Sequence, residues 1–553
     1  LTGPNLAWYE DYLRYYYLFV ETVDGSVSRR FAFLVMLLCL FTTMLVLLRR
    51  RRVPGIASAP TWRLMGVVFG TIFFMMFNPT KWTHHFGAYA GIAGSLAAVT
   101  AVAVSASALR ARKNRAIFLA GLLFVLAVAF SGINGYWYVS SFGVPWFDKR
   151  VSVSGIQSNT VMLILFGLAL ALVAWHTLRE GYAKPPSSAK TARGRRIRKF
   201  AAIPLTVVAA AMVLFEVLSL VKGAYSQYPG YSLARSNMDA LSGDSCGLAN
   251  DVLVETDPNG GRLNPIIDPA TPPTNPNDPL AGVDPVGFDP NGVPDDLSAD
   301  AVEVKPGTGN TSTQSVGAAF AEGQSAGTGG GQGAQGVNGS TVALPFGLDP
   351  ASTPLLGSYQ NGVQQPAFVT SSWYGLPERS EDKPLIVISA AGRILSYDDT
   401  GAMQYGQSLT VDYGKRQPDG SVTPLGTYLP RDIGPFPSWR NLRVPLDEIA
   451  PEADAVRIVA NDPILIGDQW LAITPPRLPR LATLDSVVGH TDPVLLDWHV
   501  GLAFPCQRPF DHRYGVAEVP RWRILPDRVG SDASNAWQDN IGGGPLGWTE
   551  LLL

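Results

Sequence analysis

Residues 31–52 read FAFLVMLLCLFTTMLVLLRRRR, an unbroken apolar run closed by four arginines. At a rise of 1.5 Å per residue, about 20 apolar residues cross a hydrocarbon core of about 30 Å, so this run predicts a membrane-spanning helix. The arginines hold its end on the cytoplasmic side, where basic residues are retained. It is not a cleavable leader, because it starts at residue 31 and its positive charge follows the apolar run.

Five further apolar runs follow, at residues 64–77, 86–109, 116–133, 160–175 and 201–221. The second is short and needs Trp62 or the segment after Phe77 to complete a crossing. The connecting segments alternate in charge. Five arginines lie in residues 49–63, four basic residues in 110–115 and eight in 179–199, whereas 78–85 holds only Lys81 and 131–158 only Lys149 and Arg150. This positive-inside alternation predicts six spans, with residues 1–30 and everything after Lys222 outside the cytoplasm. Arg29 and Arg30 break the pattern, being basic on the outer side.

The chain has 553 residues, with 43 Lys+Arg against 45 Asp+Glu and a net charge of −2. That balance conceals two halves: 24 basic and 7 acidic residues through Lys222, then 19 basic and 38 acidic. Charged residues make up 16% of the chain, against roughly 25% in soluble proteins. A single soluble globule, a nucleic-acid binder driven by bulk charge and a wholly disordered chain are all excluded. The first residue is Leu1, and the chain is expected to be a piece of something longer.

The acidic half predicts an exported β-domain over residues 223–553. Residues 257–300 are dense in Pro, Asn, Asp and Gly, and 307–340 run through GTGGGQGAQG. Such stretches bury too little apolar surface to offset chain entropy, so 257–340 reads as linker and loop. The DPNG turns there match no EF-hand spacing. Short β-rich runs bounded by Pro, Gly, Asn or Asp then recur, among them 366–375 (PAFVTSSWYG), 384–397 (PLIVISAAGRILSY), 455–462 (AVRIVAND) and 493–505 (PVLLDWHVGLAFP). Strands of this length and spacing predict a sandwich of jelly-roll type. Cys246 and Cys506 are the only cysteines outside the spans, Cys39 lying within the first. In an oxidising compartment they either pair, tying the start of the exported half to its end, or stay as two buried thiols.

Candidate chemistry sits in Asn78-Pro-Thr-Lys-Trp-Thr-His-His-Phe86, just outside the second run. Trp82 suits a membrane interface for its own sake. Lys81, His84 and His85 are donors for a lipid phosphate or sugar hydroxyls. Adjacent histidines do not readily face one metal, which argues against zinc. In the β-domain, Trp498 and His499 precede Cys506 in LLDWHVG, and Trp373 lies in SSWYG. A Trp ring gives a flat face to sugar C–H groups, or it is a core residue of the sandwich. Glu216, in the last run, is a carboxylate in apolar surroundings with either a functional or a packing role. The basic loop at 193–199 is read as a cytoplasmic anchor that meets anionic lipid.

NPTKWTHHFGAYAG, NGYWYVSSFGVPWFDK and TDPVLLDWHVGLAFPCQRP together resemble the Emb family of mycobacterial cell-wall arabinosyltransferases, over essentially the whole chain. The resemblance, leaning to the B type, is to the C-terminal half of such an enzyme. It implies a membrane glycosyltransferase of the GT-C class that moves D-arabinofuranose from decaprenyl-phosphoryl-arabinose onto arabinan of arabinogalactan or lipoarabinomannan. It places the catalytic Asp in the N-terminal half, upstream of this chain; Glu10 and Asp11, in WYEDY, are not its motif. By the same resemblance, Trp82 and His84 line the cleft that ethambutol occupies, Lys81 and His85 joining them by proximity. It implies an arabinan-binding role for Trp498, a Ca²⁺ ion in the terminal module with Asp462 of ANDPIL as the best local ligand, and a homo- or heterodimer with an Emb paralogue. The competing expectation is a non-catalytic, membrane-anchored polysaccharide scaffold.

Overall fold

A computed structural model describes residues 6–104, 112–136, 138–141, 143–147, 149–180, 203–267, 273, 275, 278–295, 297, 335–397, 403–432, 436–437, 439–496, 504–526 and 546–551. They divide into two compact units, Leu1–Trp137 with Val144–Tyr225, and Tyr138–Gly143 with Ser226–Leu553.

The first unit is helical. Its elements are α1 (Tyr12–Phe19), α2 (Val27–Arg50), α3 (Ser58–Met75), α4 (Ala90–Ala103), α5 (Arg112–Ala129), α6 (Ser158–Glu180) and α7 (Ile203–Gln227), with a 3-10 stretch, Thr83–Tyr89, leading into α4. Each of the six apolar runs is met by a helix. Among the described residues, Val27–Arg50, Thr83–Ala103, Ser158–Arg179 and Pro204–Gln227 are long and apolar enough to cross a membrane. The other two, α3 and α5, have 18 residues each and open on polar or basic residues, Ser58 and Thr61 in one, Arg112, Lys113 and Arg115 in the other. The loop at 193–199 lies outside the described residues.

Helix α2 is central, packing on α4 and α5, while α5 also meets α6. Gly121 lets α2 and α5 approach: a Cβ there would stand 3.2 Å from Leu38 Cδ1. Thr43 Oγ1 and Thr100 Oγ1, 2.9 Å apart, join α2 to α4 within an apolar cluster. Such interhelical hydrogen bonds stand in where helices gain little from hydrophobic contrast with lipid.

The two arginines that broke the charge pattern do not lie in a solvated loop. Arg30 is buried; its Nε donates to Leu18 O at 2.8 Å, Nη2 to Val20 O at 2.9 Å, and Nη1 to Ser131 Oγ at 2.6 Å and Val128 O at 3.3 Å. It thus serves carbonyls at the C-terminal ends of α1 and α5, groups a helix leaves orphaned. Glycine makes room: a Cβ on Gly132 would lie 2.2 Å from Gly25 O. Arg29 donates to Asp24 Oδ1 at 3.0 Å and Thr83 Oγ1 at 2.8 Å.

The second unit contains two antiparallel sheets built from eight strands: β1 (Leu356–Gly357), β2 (Ala367–Thr370), β3 (Leu385–Gly392), β4 (Ser408–Arg416), β5 (Val422–Tyr428), β6 (Arg440–Pro445), β7 (Ala455–Asp462) and β8 (Leu471–Ile473). One sheet has the order β6-β3-β8-β1 and the other β5-β4-β7-β2, with Tyr374–Gly375 also pairing with β7. Alternation sets the inner faces. Leu409 and Val411 of β4 and Val456 and Ile458 of β7 point inward against Ile386 and Ile388 of β3 and Leu442 and Val444 of β6.

The described part of the Pro/Asp-rich stretch, read as linker and loop, is loop that packs on the sheets. Leu263, Phe288 and Val293 are buried, and Val286 and Asp289 bridge to Phe368 and Gly357 on the sheets. Gly292 meets Gly357 back to back, a Cβ on Gly292 falling 1.9 Å from Gly357 O. Backbone pairing and three apolar side chains suffice to seat a sequence of turns. Residues 301–334, the core of the Gly-rich run, lie outside the described residues.

A third, mixed sheet was not foreseen. Its order is Leu481–Thr483, Leu253–Glu255, Leu546–Leu551, Trp522–Pro526 and Val494–Leu496, over a core of Val254, Leu484, Val494, Phe504 and Ile524. Cys246 and Cys506 are joined by a disulfide beside it. A buried ion pair links this sheet to the sandwich. Arg477 grips Glu255 through Nε (3.0 Å) and Nη2 (2.8 Å), while its Nη1 donates to Ser389 Oγ of β3 (2.9 Å) and Nη2 also to Asn441 Oδ1 of β6 (3.1 Å). Glu255→Ala strands the Arg477 charge and is expected to destabilise the second unit by about 3–5 kcal/mol; protease sensitivity of that unit on heating the full-length protein measures it.

Candidate functional site

The site in the helical unit is assembled around Arg14, which is fully buried. Its Nε donates to Asp11 Oδ1 at 3.2 Å, Nη1 to Trp82 O at 2.6 Å and His85 Nδ1 at 2.9 Å, and Nη2 to Met75 O at 3.4 Å and Thr80 O at 3.2 Å. One guanidinium therefore collects the end of α3 and the whole turn that follows. Because Arg can only donate, His85 Nδ1 is the unprotonated acceptor and the ring is a neutral Nε2–H tautomer.

A second anchor holds the next residue. Asp24, also fully buried, accepts from Thr83 Oγ1 at 2.5 Å and Thr83 N at 3.2 Å, and Thr83 Oγ1 further reaches Asp24 O at 2.8 Å. Burial pushes the Asp24 carboxyl above its ordinary value, against Thr83 and Arg29, which favour its charged form. Fixing Trp82 O, Thr83 and His85 Nδ1 leaves His84 exposed. The His84 and His85 rings lie 4.3 Å apart at 61°.

Both imidazoles border a cavity of about 750 Å³ that runs along α3. Val67, Phe74 and Met75 give it an apolar wall, and Asn78, His84 and His85 a polar end. Trp82 is not among its lining residues; it is half-buried and stacks on Tyr17, with centroids 6.3 Å apart at 22°. Lys81 needs a correction. It is buried, and its ammonium donates to Met76 O at 2.6 Å and Asn78 O at 2.9 Å, with Asp11 Oδ1 at 3.7 Å. The carbonyls freed at the end of α3 take the cation, so Lys81 shapes the turn from inside and does not present a charge to a ligand.

The sequence reading missed Arg14 and Asp24. A signal existed for the first: Asp11 and Arg14 form an i,i+3 pair flanked by aromatic residues in EDYLRYYYLF, an unusual place for a charge without a fixed partner.

In the second unit, Trp373 is half-buried with the Arg457 guanidinium 4.6 Å from its ring centroid, and a Cβ on Gly414 would lie 3.1 Å from its Cη2. Arg457 is itself held by Asp412 Oδ2 at 2.9 Å. The protein's own cation thus occupies one approach to that ring. Trp498 and His499 lie outside the described residues. Glu216 accepts a hydrogen bond from Tyr136 Oη.

Asp462 is buried at the end of β7, its Oδ2 accepting from Ser358 Oγ at 2.6 Å and its Oδ1 from Ile464 N at 3.2 Å. No cationic side chain among the described residues pairs with it, and burial pushes its carboxyl above the ordinary value. Buried charges are ordinarily paired or bound to metal, and hard carboxylate oxygens suit Ca²⁺. Asp462 fits such an ion as one ligand. Cys246, His490 and Cys506 form the only cluster of three or more potential metal-ligating side chains among the described residues, two of them bonded to each other, and Asp462 is not part of it.

Comparison with known proteins follows this division. Residues 1–179 match the family model described as mycobacterial cell wall arabinan synthesis protein, and 217–553 that of the EmbC C-terminal domain. The probable arabinosyltransferase C of Mycolicibacterium smegmatis is 48% identical over 552 residues, covering 100% of this chain and 49% of the relative. The probable arabinosyltransferase A of Mycobacterium tuberculosis is 49% identical over 556 residues, covering 100% and 50%. The B enzyme of the same organism is 45% identical over 555 residues, covering 100% and 48%, so the three types are not separated. The cryo-EM structure of arabinosyltransferase EmbB from Mycobacterium smegmatis superposes with a TM-score of 0.71 at 40% identity, over 94% of this chain and 49% of that one. The chain spans about half the length of the curated relatives it matches. It belongs to the Emb family of mycobacterial cell-wall arabinosyltransferases.

Proposed function

We propose that this chain supplies the outer-face rim of the active site and the glycan-binding module of a membrane arabinosyltransferase, which moves D-arabinofuranose from decaprenyl-phosphoryl-arabinose to arabinan. The observation that carries the reading is the cavity along α3, apolar on its wall and bordered by His84, His85 and Asn78 at one end. That polarity suits an amphiphile whose phosphate meets imidazole and amide donors while its chain follows the helix. In the transfer, the bond from the anomeric carbon to the phosphate oxygen breaks as an acceptor hydroxyl attacks. The hydroxyl proton passes to a base, which this reading assigns to the N-terminal half of the enzyme. The neutral His85, its Nδ1 occupied by Arg14, has Nε2–H free to face the charge developing on the phosphate.

In this reading all six helices cross the plasma membrane, α3 and α5 being completed by their neighbouring turns, and residues 1–30 and 223–553 lie outside. The terminal half is a jelly roll, an assignment supported by the strand orders β6-β3-β8-β1 and β5-β4-β7-β2. Trp498, with His499, captures arabinan, and Asp462 contributes to a structural Ca²⁺ site. A second Emb chain, a copy of this protein or a paralogue, completes a dimer, and the N-terminal half of the enzyme supplies the rest of the site.

His84→Ala in the full-length enzyme is expected to lower arabinose transfer from decaprenyl-phosphoryl-arabinose by about 100-fold. Arg14→Lys is expected to lower it too, since three ammonium donors cannot replace five guanidinium donors. Normal transfer by both folded variants would sink the site assignment. Trp498→Ala should raise the KM for a short arabinan acceptor with little change in kcat.

Calcium removal has a sign fixed by Asp462. Its carboxyl is raised above the ordinary 3.8, so its contribution to stability is complete below that value and is lost as pH rises through the folded value. A bound cation offsets that loss. Chelation should therefore lower the Tm of the second unit more at about pH 7 than at about pH 4, and Asp462→Asn should abolish the difference.

A further inference from the structure

Helix α8 (Leu233–Ser242) follows α7 after residues 228–232 and is well terminated at both ends: Ser232 Oγ accepts from Arg235 N at 3.2 Å, and Gly243 takes a φ of 101°. None of its residues is buried, although it carries a compact apolar face. Ala234, Met238 and Leu241 stand at i, i+4 and i+7 and so share one side. Met238 is 70% exposed and Leu241 89%. The opposite flank is tied to the protein: Arg235 pairs with Asp239 Oδ2 at 3.4 Å and with Asp251 Oδ1 at 3.1 Å. The apolar face is thus turned outward by ion pairs on the other side.

Chain connectivity limits what that face can meet. The stretch Pro204–Gln227 is long enough to span a membrane, and the connector holds Leu233 within about 20 Å of its end. Tyr225 and Tyr228, each 80% exposed, bracket the exit, the position at which aromatic residues mark the boundary between lipid and water. We propose that α8 lies on the membrane surface at the carboxyl end of α7, with Met238 and Leu241 entering the headgroup–acyl boundary. The occupant is lipid because the face is apolar, joined through only residues 228–232 to a helix long enough to span, and preceded in the chain by the exposed Tyr225 and Tyr228. A short helix of this kind would bind a bilayer weakly if free, but its tether raises the effective concentration enough for modest affinity to hold it down. The proposal rests on α7 crossing a membrane and is independent of the transferase reading.

The test is nitroxide labelling of Met238→Cys and Leu241→Cys in the full-length protein, reconstituted in phosphatidylethanolamine/phosphatidylglycerol vesicles. Asp419→Cys, on the exposed turn between β4 and β5, serves as the aqueous reference, and unlabelled Cys39, which is buried, as the background check. Labels at 238 and 241 are expected to be reached by dissolved oxygen and shielded from a polar nickel complex, with the reverse at 419. Equal access to the nickel complex at all three sites would overturn the proposal in favour of a solvated face. Labels at 238 and 241 that are immobilised and shielded from both reagents would overturn it in favour of burial against protein.

Discussion

A guanidinium has five N–H donors and cannot shed its charge, so a fully buried one obliges its surroundings to supply five acceptors. Arg14 finds them in the Asp11 carboxylate, three carbonyls at Met75, Thr80 and Trp82, and one imidazole nitrogen. The turn after α3 has little freedom left once these are satisfied. Lys81 is drawn inward onto the carbonyls that remain, Asp24 fixes Thr83, and His84 is what stays outside. The geometry of the two imidazoles is thus set by a residue some seventy positions earlier, through electrostatic demand more than apolar packing.

This explains what could be read in advance. The apolar runs and the His-His pair are local signals: each run is met by a helix, and the two imidazoles border the cavity. Lys81 was misjudged because a sequence shows the position of a charge but not which carbonyls a helix end leaves free nearby. Arg29 and Arg30 misled for the same reason: both are basic by composition, yet they serve as hydrogen-bond hubs under the turns at the ends of α1 and α5 and before α4.

In the β-half, short β-rich runs at regular spacing disclosed the sandwich, and turn residues marked where its strands end. The mixed sheet stayed hidden because its members are far apart in the chain and three of them have three residues each, as where Leu253–Glu255 pairs with Leu481–Thr483. No period develops over three residues. The packing of the Pro/Asp-rich loop was not legible for a related reason. Composition describes how much apolar surface a stretch carries, whereas Leu263, Phe288 and Val293 succeed because the sandwich already offers the surface they complete.

The disulfide has a topological consequence. Cys246 and Cys506 are 260 residues apart, and every sandwich strand lies between them. Covalently, that portion of the chain is a ring. A single peptide-bond cut anywhere within it, including the Gly-rich run at 307–340, opens the ring without releasing a piece: the product keeps its mass until the sulfurs are reduced. The β-half can therefore be nicked anywhere inside the ring and stay joined to α7; only a cut in the single strand of chain at residues 228–245, outside the ring, frees it whole.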